Sequence, residues 1–123
     1  MASGLEYLHS KHIIHRNIKP ENILVDNNSD SAQFKLSDMG PSKESLSVWM
    51  APETLEVVYD DNDLQSLPTR IGEAASDVWS LGCVFFYFIH KGQHPFGGGN
   101  MVKTLHNIIE GDPMQLAGIC RCI

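Results

Sequence analysis

The sequence predicts a mainly α fold with a small β-hairpin. Apolar residues between Ala75 and about Lys91 recur at three- and four-residue steps, which is typical of a helix. A second, weaker amphipathic pattern covers residues 101–110. Two short apolar stretches, Ile23–Val25 and Phe34–Leu36, flank a run of turn-forming residues and favour a hairpin.

The remaining elements are predicted in chain order. Residues 2–11 place apolar side chains on one helical face, and Ile13–Ile14 forms a short strand-like pair. Pro52 suits the first turn of a further helix. Lys91 followed by Gly92 ends the long helix, and the three glycines at 97–99 form a flexible linker.

The composition excludes several classes of protein. The 123 residues include 9 Lys/Arg and 15 Asp/Glu, which gives a net charge of −6, and 42% are hydrophobic. This composition is that of a folded domain and has the wrong sign for a basic nucleic-acid-binding surface. The longest apolar run, Cys83–Ile89, is far short of the ~20 residues that span a bilayer. We therefore expect no direct nucleic-acid site and no membrane segment in this chain.

Three patterns that could bind a metal each lack a feature that such a site needs. The acidic stretch at 59–63 lacks the glycine and glutamate that a calcium loop needs at its sixth and twelfth positions, so a solvated surface loop is expected. Cys120 and Cys122 have no further ligands nearby, and the odd total of three cysteines fits a reducing cytosol. The pair His90 and His94 is interrupted by helix-breaking residues.

Four motifs follow one another in a fixed order: HRNIKPEN at residues 15–22, DMG at 38–40, MAPE at 50–53 and SDVWSLG at 76–82. Together they resemble the catalytic loop, the D-F-G and A-P-E motifs and the central helix of eukaryotic protein kinases. The resemblance implies an incomplete protein-kinase-like C-terminal lobe over residues 1–111. Residues 112–123 form a tail with no assignable domain.

The resemblance implies that ATP and Mg²⁺ are the cofactors. Asp38 would supply a carboxylate oxygen to Mg²⁺, and Asn22 an amide oxygen to a second ion. Lys19 would contact the transferred phosphate. The cofactor-binding residues expected by resemblance are therefore Lys19, Glu21, Asn22 and Asp38.

Further roles follow from the same resemblance. Arg16 would meet a phosphate on the activation segment, where Ser42, Ser45 and Ser47 are candidate acceptors or simply loop residues. Asp77 would accept backbone N–H groups of the catalytic loop. Lysine within the K-P-E-N stretch indicates the serine/threonine branch of the family.

The catalytic positions contain a departure from the family pattern. The expected catalytic residues are Asn17, Lys19 and Arg16, and Asn17 stands where the family has an aspartate. An amide cannot take up a proton at neutral pH, and losing a positioned base typically costs ~10²–10⁴ in rate. The family's Gly-Thr pair is also replaced, by Ser45-Leu46.

The 123 residues contain no Gly-rich phosphate loop or strand lysine, which the family carries in an N-terminal lobe. We therefore expect a serine/threonine kinase domain fragment that is inactive alone. Glu53 would lack the arginine that pairs with it in the family, and would therefore have no partner in this chain. A long helix without its usual cover predicts large exposed apolar patches. The alternative function is a pseudokinase-type binding module that acts through a partner.

The run GCVFFYFI, followed by Gly92 and HPFG at 94–97, is similar to the inositol-requiring stress-sensor kinase/endoribonuclease family. That resemblance implies a role in the unfolded protein response. It also implies a cytoplasmic location, at the cytosolic face of the endoplasmic reticulum. The expected partners are a protein substrate or a partner kinase.

Overall fold

The computed structural model describes residues 1–28, 31–40, 46–60 and 74–116. Within these ranges lie helices α1 (Ala2–Ser10), α2 (Pro52–Asp60), α3 (Ala74–Ile89) and α4 (Met101–Glu110). Strands β1 (Ile23–Asp26) and β2 (Gln33–Leu36) form an antiparallel two-stranded sheet, preceded by one 3-10 turn at Pro20–Asn22. The residues outside these ranges include Ser42, Ser45, Cys120, Cys122 and the stretch 61–73.

Most predicted elements are confirmed within two residues of their bounds. In the hairpin, Ile23 pairs with Leu36 and Val25 with Phe34, as alternating apolar positions require. The strand predicted at Ile13–Ile14 is wrong, because these residues are not in a strand. The Ile13 N–H donates to the Leu8 carbonyl at 3.0 Å and so completes the end of α1 instead.

Helix α4 is delimited by signals at both ends. The Asn100 side-chain oxygen accepts from the Lys103 N–H at 2.9 Å, which satisfies one free donor of the first turn. Gly111 ends the helix with φ of 67°, a left-handed conformation that glycine adopts without strain. The predicted flexible linker is instead packed, since the Gly98 N–H donates to the Thr104 hydroxyl at 3.1 Å.

Two apolar clusters form the interior of the part of the chain that the structure describes. The first joins α1, the loop after it, β1 and α3; its buried members are Leu5, Ile18, Ile23, Leu81 and Val84. The second joins α2 to α4 through the buried residues Leu55, Leu105 and Ile108. The segment before α2 packs on the second cluster through Leu46, Val48 and Met50. The loops that carry the motifs are thereby attached to helices on both sides.

One face of α3 is not covered by the described residues. Val78 is 58% exposed and Ile89 is 73% exposed, while Phe85 and Phe88 are also exposed. The predicted exposed apolar patches are confirmed. An open groove of about 490 Å³ runs between α1 and α3 and has Gly82 among its lining residues. Cys83, predicted as a core residue, is buried, and burial raises the pKa of its thiol to about 12.

No helix in the described ranges has both the length and the apolar content that crossing a bilayer demands.

Candidate active site

Asp77, near the start of α3, holds the loop that precedes β1. Its carboxylate accepts from the backbone N–H groups of His15 and Arg16, each at 2.8 Å. Asp77 is 2% exposed, and these bonds join residues more than sixty positions apart in sequence. The brace expected for Asp77 is therefore present. A buried carboxylate with charge-assisted hydrogen bonds fixes the course of this loop firmly.

His9 provides a third contact to the same carboxylate, which the sequence did not indicate. Its Nε2 lies 2.9 Å from Asp77 Oδ2. An ionised carboxylate only accepts, so Nε2 must carry the proton. The only sequence signal was the place of His9 on the inner face of α1. The contact ties α1, the loop and α3 together at one buried charge.

The loop backbone is strained at two of the predicted site residues. Arg16 has φ of 65° and Asp38 has φ of 55°, left-handed values that non-glycine residues adopt uncommonly. Such conformations cost about 1–3 kcal/mol and persist where surrounding contacts determine them. Asp77 supplies that constraint at Arg16. At the other site, the N–H of Gly40 donates to the His15 carbonyl at 2.9 Å.

The side chains of Asn17, Asn22, Ser37 and Asp38 lie in one hydrogen-bonded group. Asn17 Nδ2 donates to the Asp38 carbonyl at 3.2 Å, and Asn22 Nδ2 donates to the Asn17 carbonyl at 2.8 Å. The Ser37 hydroxyl lies 3.0 Å from Asp38 Oδ2 and 3.3 Å from the Asn22 carbonyl. Ser37, which the sequence analysis did not single out, links the two predicted metal ligands.

The donor set of this group fits a hard cation. Since Asn22 Nδ2 donates within the protein, its side-chain oxygen is the atom that remains for a metal, together with the Asp38 carboxylate. Mg²⁺ is often held by one or two protein oxygens, with water and substrate phosphates completing the shell. The described residues contain no group of three or more His, Cys, Asp or Glu that could hold a metal by themselves.

His15 is fully buried beneath this group. Its Nδ1 accepts from the Asn17 N–H at 3.3 Å, so Nε2 carries the proton, and Nε2 has no hydrogen-bond partner among the described residues. Burial lowers the pKa of His15, against the opposing charge of Asp77. The imidazole is therefore neutral at pH 7.

Two hydroxyl groups of α3 attach it to the segment before α2 and to the first turn of α2. Ser80 Oγ donates to the Trp49 carbonyl at 2.7 Å, and Ser76 Oγ donates to Glu53 Oε1 at 3.0 Å. The expectation that Glu53 has no partner in this chain is wrong. Serine at position 76 reaches it because the MAPE motif at 50–53 and α3 pack side by side.

A groove opens between this segment, the catalytic-loop region and the first turn of α4. We call it the α4 groove. It has a volume of about 530 Å³, and its lining includes Lys19, Glu21, Leu46, Val48, Trp49 and Met101. It brings together two predicted site residues, Lys19 and Glu21, with apolar side chains from two other regions of the chain.

His94 forms part of the groove wall and is held by its neighbours. Its ring lies 4.8 Å from that of Trp49, and its Nδ1 accepts from the Phe96 N–H at 3.2 Å. Burial lowers the pKa of His94 to about 4, although the Val48 backbone opposes the shift. The wall is therefore uncharged at this position at pH 7.

Comparison with known proteins agrees with this geometry. Residues 1–120 match the protein kinase domain family. The chain belongs to the protein kinase family. The chain is 31% identical to the serine/threonine-protein kinase ATG1c of Arabidopsis thaliana, over 98% of this chain and 16% of that protein.

Two further kinases show similar levels of identity. The human serine/threonine-protein kinase/endoribonuclease IRE2 is 37% identical over 92% of this chain and 13% of its own length. The Aurora kinase of Dictyostelium discoideum is 37% identical over 91% of this chain and 28% of its own. The chain therefore spans less than a third of each of these kinases.

Within the kinase framework, the structure gathers most of the predicted site residues around the catalytic loop. Asn17, Asn22 and Asp38 share hydrogen bonds, whereas Lys19 and Glu21 border the α4 groove. Arg16 borders a small cavity of about 30 Å³ that Asn17 and Ser47 also line. The placement is compatible with the predicted kinase roles, which remain predictions.

Proposed function

We propose that this chain forms part of a serine/threonine protein kinase site whose phosphoryl transfer is impaired by Asn17. The observation that carries the proposal is the hydrogen bond from Asn17 Nδ2 to the Asp38 carbonyl. The side chain occupies the base position with its donor committed to the backbone, and an amide has no site for a proton at neutral pH. At this residue, no general base would therefore take up the proton that a substrate hydroxyl loses.

ATP and Mg²⁺ are the cofactors in this proposal. Asp38 and Asn22 would hold Mg²⁺, which when bound neutralises charge on the triphosphate. Ser37 would keep the Asp38 carboxylate oriented through its hydroxyl. Lys19 would place a positive charge beside the phosphate, and Glu21 would stand at the outer edge of the same loop.

We also propose that the 123-residue chain by itself does not transfer phosphate. A Gly-rich loop and a strand lysine that cover the triphosphate in this family are not among its residues. Transfer requires that the γ-phosphate be positioned as well as attacked, and positioning supplies much of the rate enhancement. Robust transfer from ATP to a generic protein substrate by this chain alone would refute this part of the proposal.

The contribution of Asn17 requires a background in which the triphosphate is covered. We would replace the matching segment of an active relative with residues 13–53 of this chain, and compare that chimaera with its Asn17→Asp form. The aspartate form is expected to transfer phosphate ~10²–10⁴ times faster, because it restores a general base. Equal rates would show that Asn17 is not the limiting feature.

A binding module that acts through a partner kinase is the second candidate, and the α4 groove favours it. The groove is formed although residue 17 is not a catalytic base, so a partner could bind there without phosphoryl transfer. Sedimentation of the purified chain with a purified relative would test this. A stoichiometric complex supports the module, and separate species contradict it.

The resemblance to stress-sensor kinase/endoribonucleases leads us to propose a role in the unfolded protein response. The corresponding location is the cytosolic face of the endoplasmic reticulum membrane. Co-localisation of the tagged protein with a reticulum marker tests this, and a uniform distribution through the cytosol would contradict it.

A further inference from the structure

The turn at residues 37–40, which we call the DMG turn, is joined at both ends to the catalytic loop at residues 15–22. The N–H groups of Ser37 and Gly40 donate to backbone carbonyls of that loop, each at 2.9 Å. Between these two points, the Asp38 carbonyl accepts no backbone hydrogen bond from the described part of the chain. The middle of the DMG turn therefore depends on other contacts for its shape.

Packing does not supply the missing constraint. Asp38 is exposed, and Met39 is 59% exposed. Asp38 nevertheless keeps φ of 55°, a left-handed conformation that a non-glycine residue holds only where its contacts determine it. The direction of its carbonyl depends on the same backbone torsions, so a donor fixed on that oxygen selects this conformation. Asn17 Nδ2, at 3.2 Å, is the donor that the described residues provide.

Asn17 is itself held by buried neighbours. Its carbonyl accepts from Asn22 Nδ2 at 2.8 Å, and its N–H donates to His15 Nδ1 at 3.3 Å. Asn22 is 6% exposed, and His15 is fully buried. The amide therefore reaches the DMG turn from a fixed point, as a residue that positions another group must do.

An aspartate at position 17 could not make the same contact. An ionised carboxylate only accepts hydrogen bonds, so it would oppose the Asp38 carbonyl oxygen instead of donating to it. It would also add a second negative charge near the Asp38 carboxylate, and like charges at short range repel each other. The hydrogen bond is therefore a property of the amide, and the residue that removes the base is the one that provides it.

We propose that Asn17 is a positioning residue that holds the DMG turn in its left-handed conformation. The amide keeps Asp38 oriented before any ligand binds. Where the triphosphate is covered, the site therefore retains Mg²⁺-dependent nucleotide binding although transfer is impaired. This inference rests on the proposed function, because it takes Asp38 as a ligand of Mg²⁺, and it gives the amide a role beyond the loss of the base.

The test measures amide hydrogen exchange by NMR in the 123-residue chain, without metal or nucleotide. Asn17→Ala should speed exchange of the Gly40 N–H on the order of fivefold, because it removes one hydrogen bond from the turn. Asn17→Asp should speed this exchange further, because it adds repulsion. If only the size of the side chain mattered, alanine would be the more damaging replacement and the near-isosteric aspartate the milder one. That reversed order, or no change in either variant, would overturn the proposal.

Two controls separate a local effect from a general one. Asn27→Asp makes the same chemical change at an exposed position and should leave the exchange of the Gly40 N–H unchanged. Exchange at the buried Leu105 of α4 reports the opening of the whole chain. If Asn27→Asp has the same effect as Asn17→Asp, or if exchange at Leu105 and Gly40 speeds up equally, the proposal fails.

The parent chain provides a measurement that needs no variant. The bonded side-chain amide proton of Asn17 should exchange with water on the order of fivefold more slowly than those of the exposed Asn27. Equal exchange at the two side chains would contradict the hydrogen bond and overturn the proposal. This measurement decides the outcome if the variants at position 17 do not fold, which circular dichroism checks.

Binding of a fluorescent ATP analogue to the chimaera tests the consequence for the cofactor. Asn17→Ala in the chimaera should raise the Mg²⁺ concentration that gives half-maximal binding on the order of fivefold, because Asp38 is less well oriented. Neither asparagine nor alanine is a base, so the comparison isolates the positioning role. An unchanged Mg²⁺ requirement would overturn the proposal.

The positioning role and the impairment of phosphoryl transfer are tested separately. If the Asn17→Asp chimaera transfers phosphate faster at saturating Mg²⁺, but residue 17 does not affect exchange of the Gly40 N–H, the proposed function stands and this inference fails. If exchange follows the predicted order but that substitution does not raise the transfer rate, the positioning role stands and the role of Asn17 in impairing transfer fails.

Discussion

The stability of this chain should fall between pH 7 and pH 5, and His94 should account for a defined part of that fall. In the folded chain burial lowers the pKa of His94 to about 4, from an ordinary value of 6.5. The unfolded chain therefore binds a proton as the pH falls below 6.5, while the folded chain does not. Linkage requires that folding lose free energy over this range, with the loss complete below pH 4.

The size of the effect follows from the two pKa values. At about pH 5 the loss would be about 2 kcal/mol for a fully shielded imidazole. The side chain is only partly enclosed, so solvent screening reduces the expected loss to about 1 kcal/mol. His15, whose pKa is also lowered by burial, adds a loss of the same sign.

The perturbation that isolates His94 is His94→Asn. Asparagine offers an oxygen near the position of Nδ1, which accepts from the Phe96 N–H, but it does not titrate. The variant should be less stable at every pH because it loses the ring contact with Trp49. Its stability should nevertheless fall by about 1 kcal/mol less between pH 7.5 and about pH 5.

The assay is urea unfolding followed by circular dichroism at the two pH values, since a chain of this size is expected to unfold in one step. The exposed Gln93 provides the control, because Gln93→Asn removes no titratable group. If His94→Asn loses as much stability as the parent chain over the same range, the reasoning about its burial is refuted.

Three further pairs of substitutions test contacts at and around the site. Asp77→Ala should destabilise the fold by about 2–5 kcal/mol, because it leaves two backbone N–H groups without their acceptor. In the same urea assay, Asp112→Ala at an exposed position should change the free energy of unfolding little. Gly98→Ala should cost about 1–3 kcal/mol because its Cβ would lie 2.6 Å from a side-chain carbon of Lys103. Gly4→Ala, with no atom within 4 Å of the new Cβ, should instead raise the melting temperature. Asn100→Ala should cost about 1 kcal/mol and Asn100→Ser much less, and equal melting temperatures for these two would contradict the capping role.

Local chemistry explains how far the sequence could predict the fold. The bounds of α4 follow from a capping asparagine and a terminal glycine, and the hairpin register follows from the alternation of its apolar residues. The strand at Ile13–Ile14 was predicted because β-branched residues prefer the extended conformation of a strand. A strand also needs a partner strand to pair with, and the described residues provide none beside this pair.

The candidate site was predictable only in part. Asn17, Lys19 and Asn22 lie within one short motif, so their proximity follows from the sequence alone. The link through Ser37 and the approach of His9 to Asp77 depend on hairpin pairing and on the packing of α1 against α3. Contacts of this kind join residues that are distant in the sequence, and the periodicity of apolar residues does not predict them.

The sequence by itself determined the order of the kinase motifs, the helices that flank them and the amide at the base position. Each of these is a property of neighbouring residues. The tertiary structure decided that one buried carboxylate holds two backbone N–H groups, that His94 is neutral, and that Lys19 and Met101 border one groove. These features arise when segments distant in the chain exclude water together, because burial sets both the strength of a hydrogen bond and the pKa of a side chain.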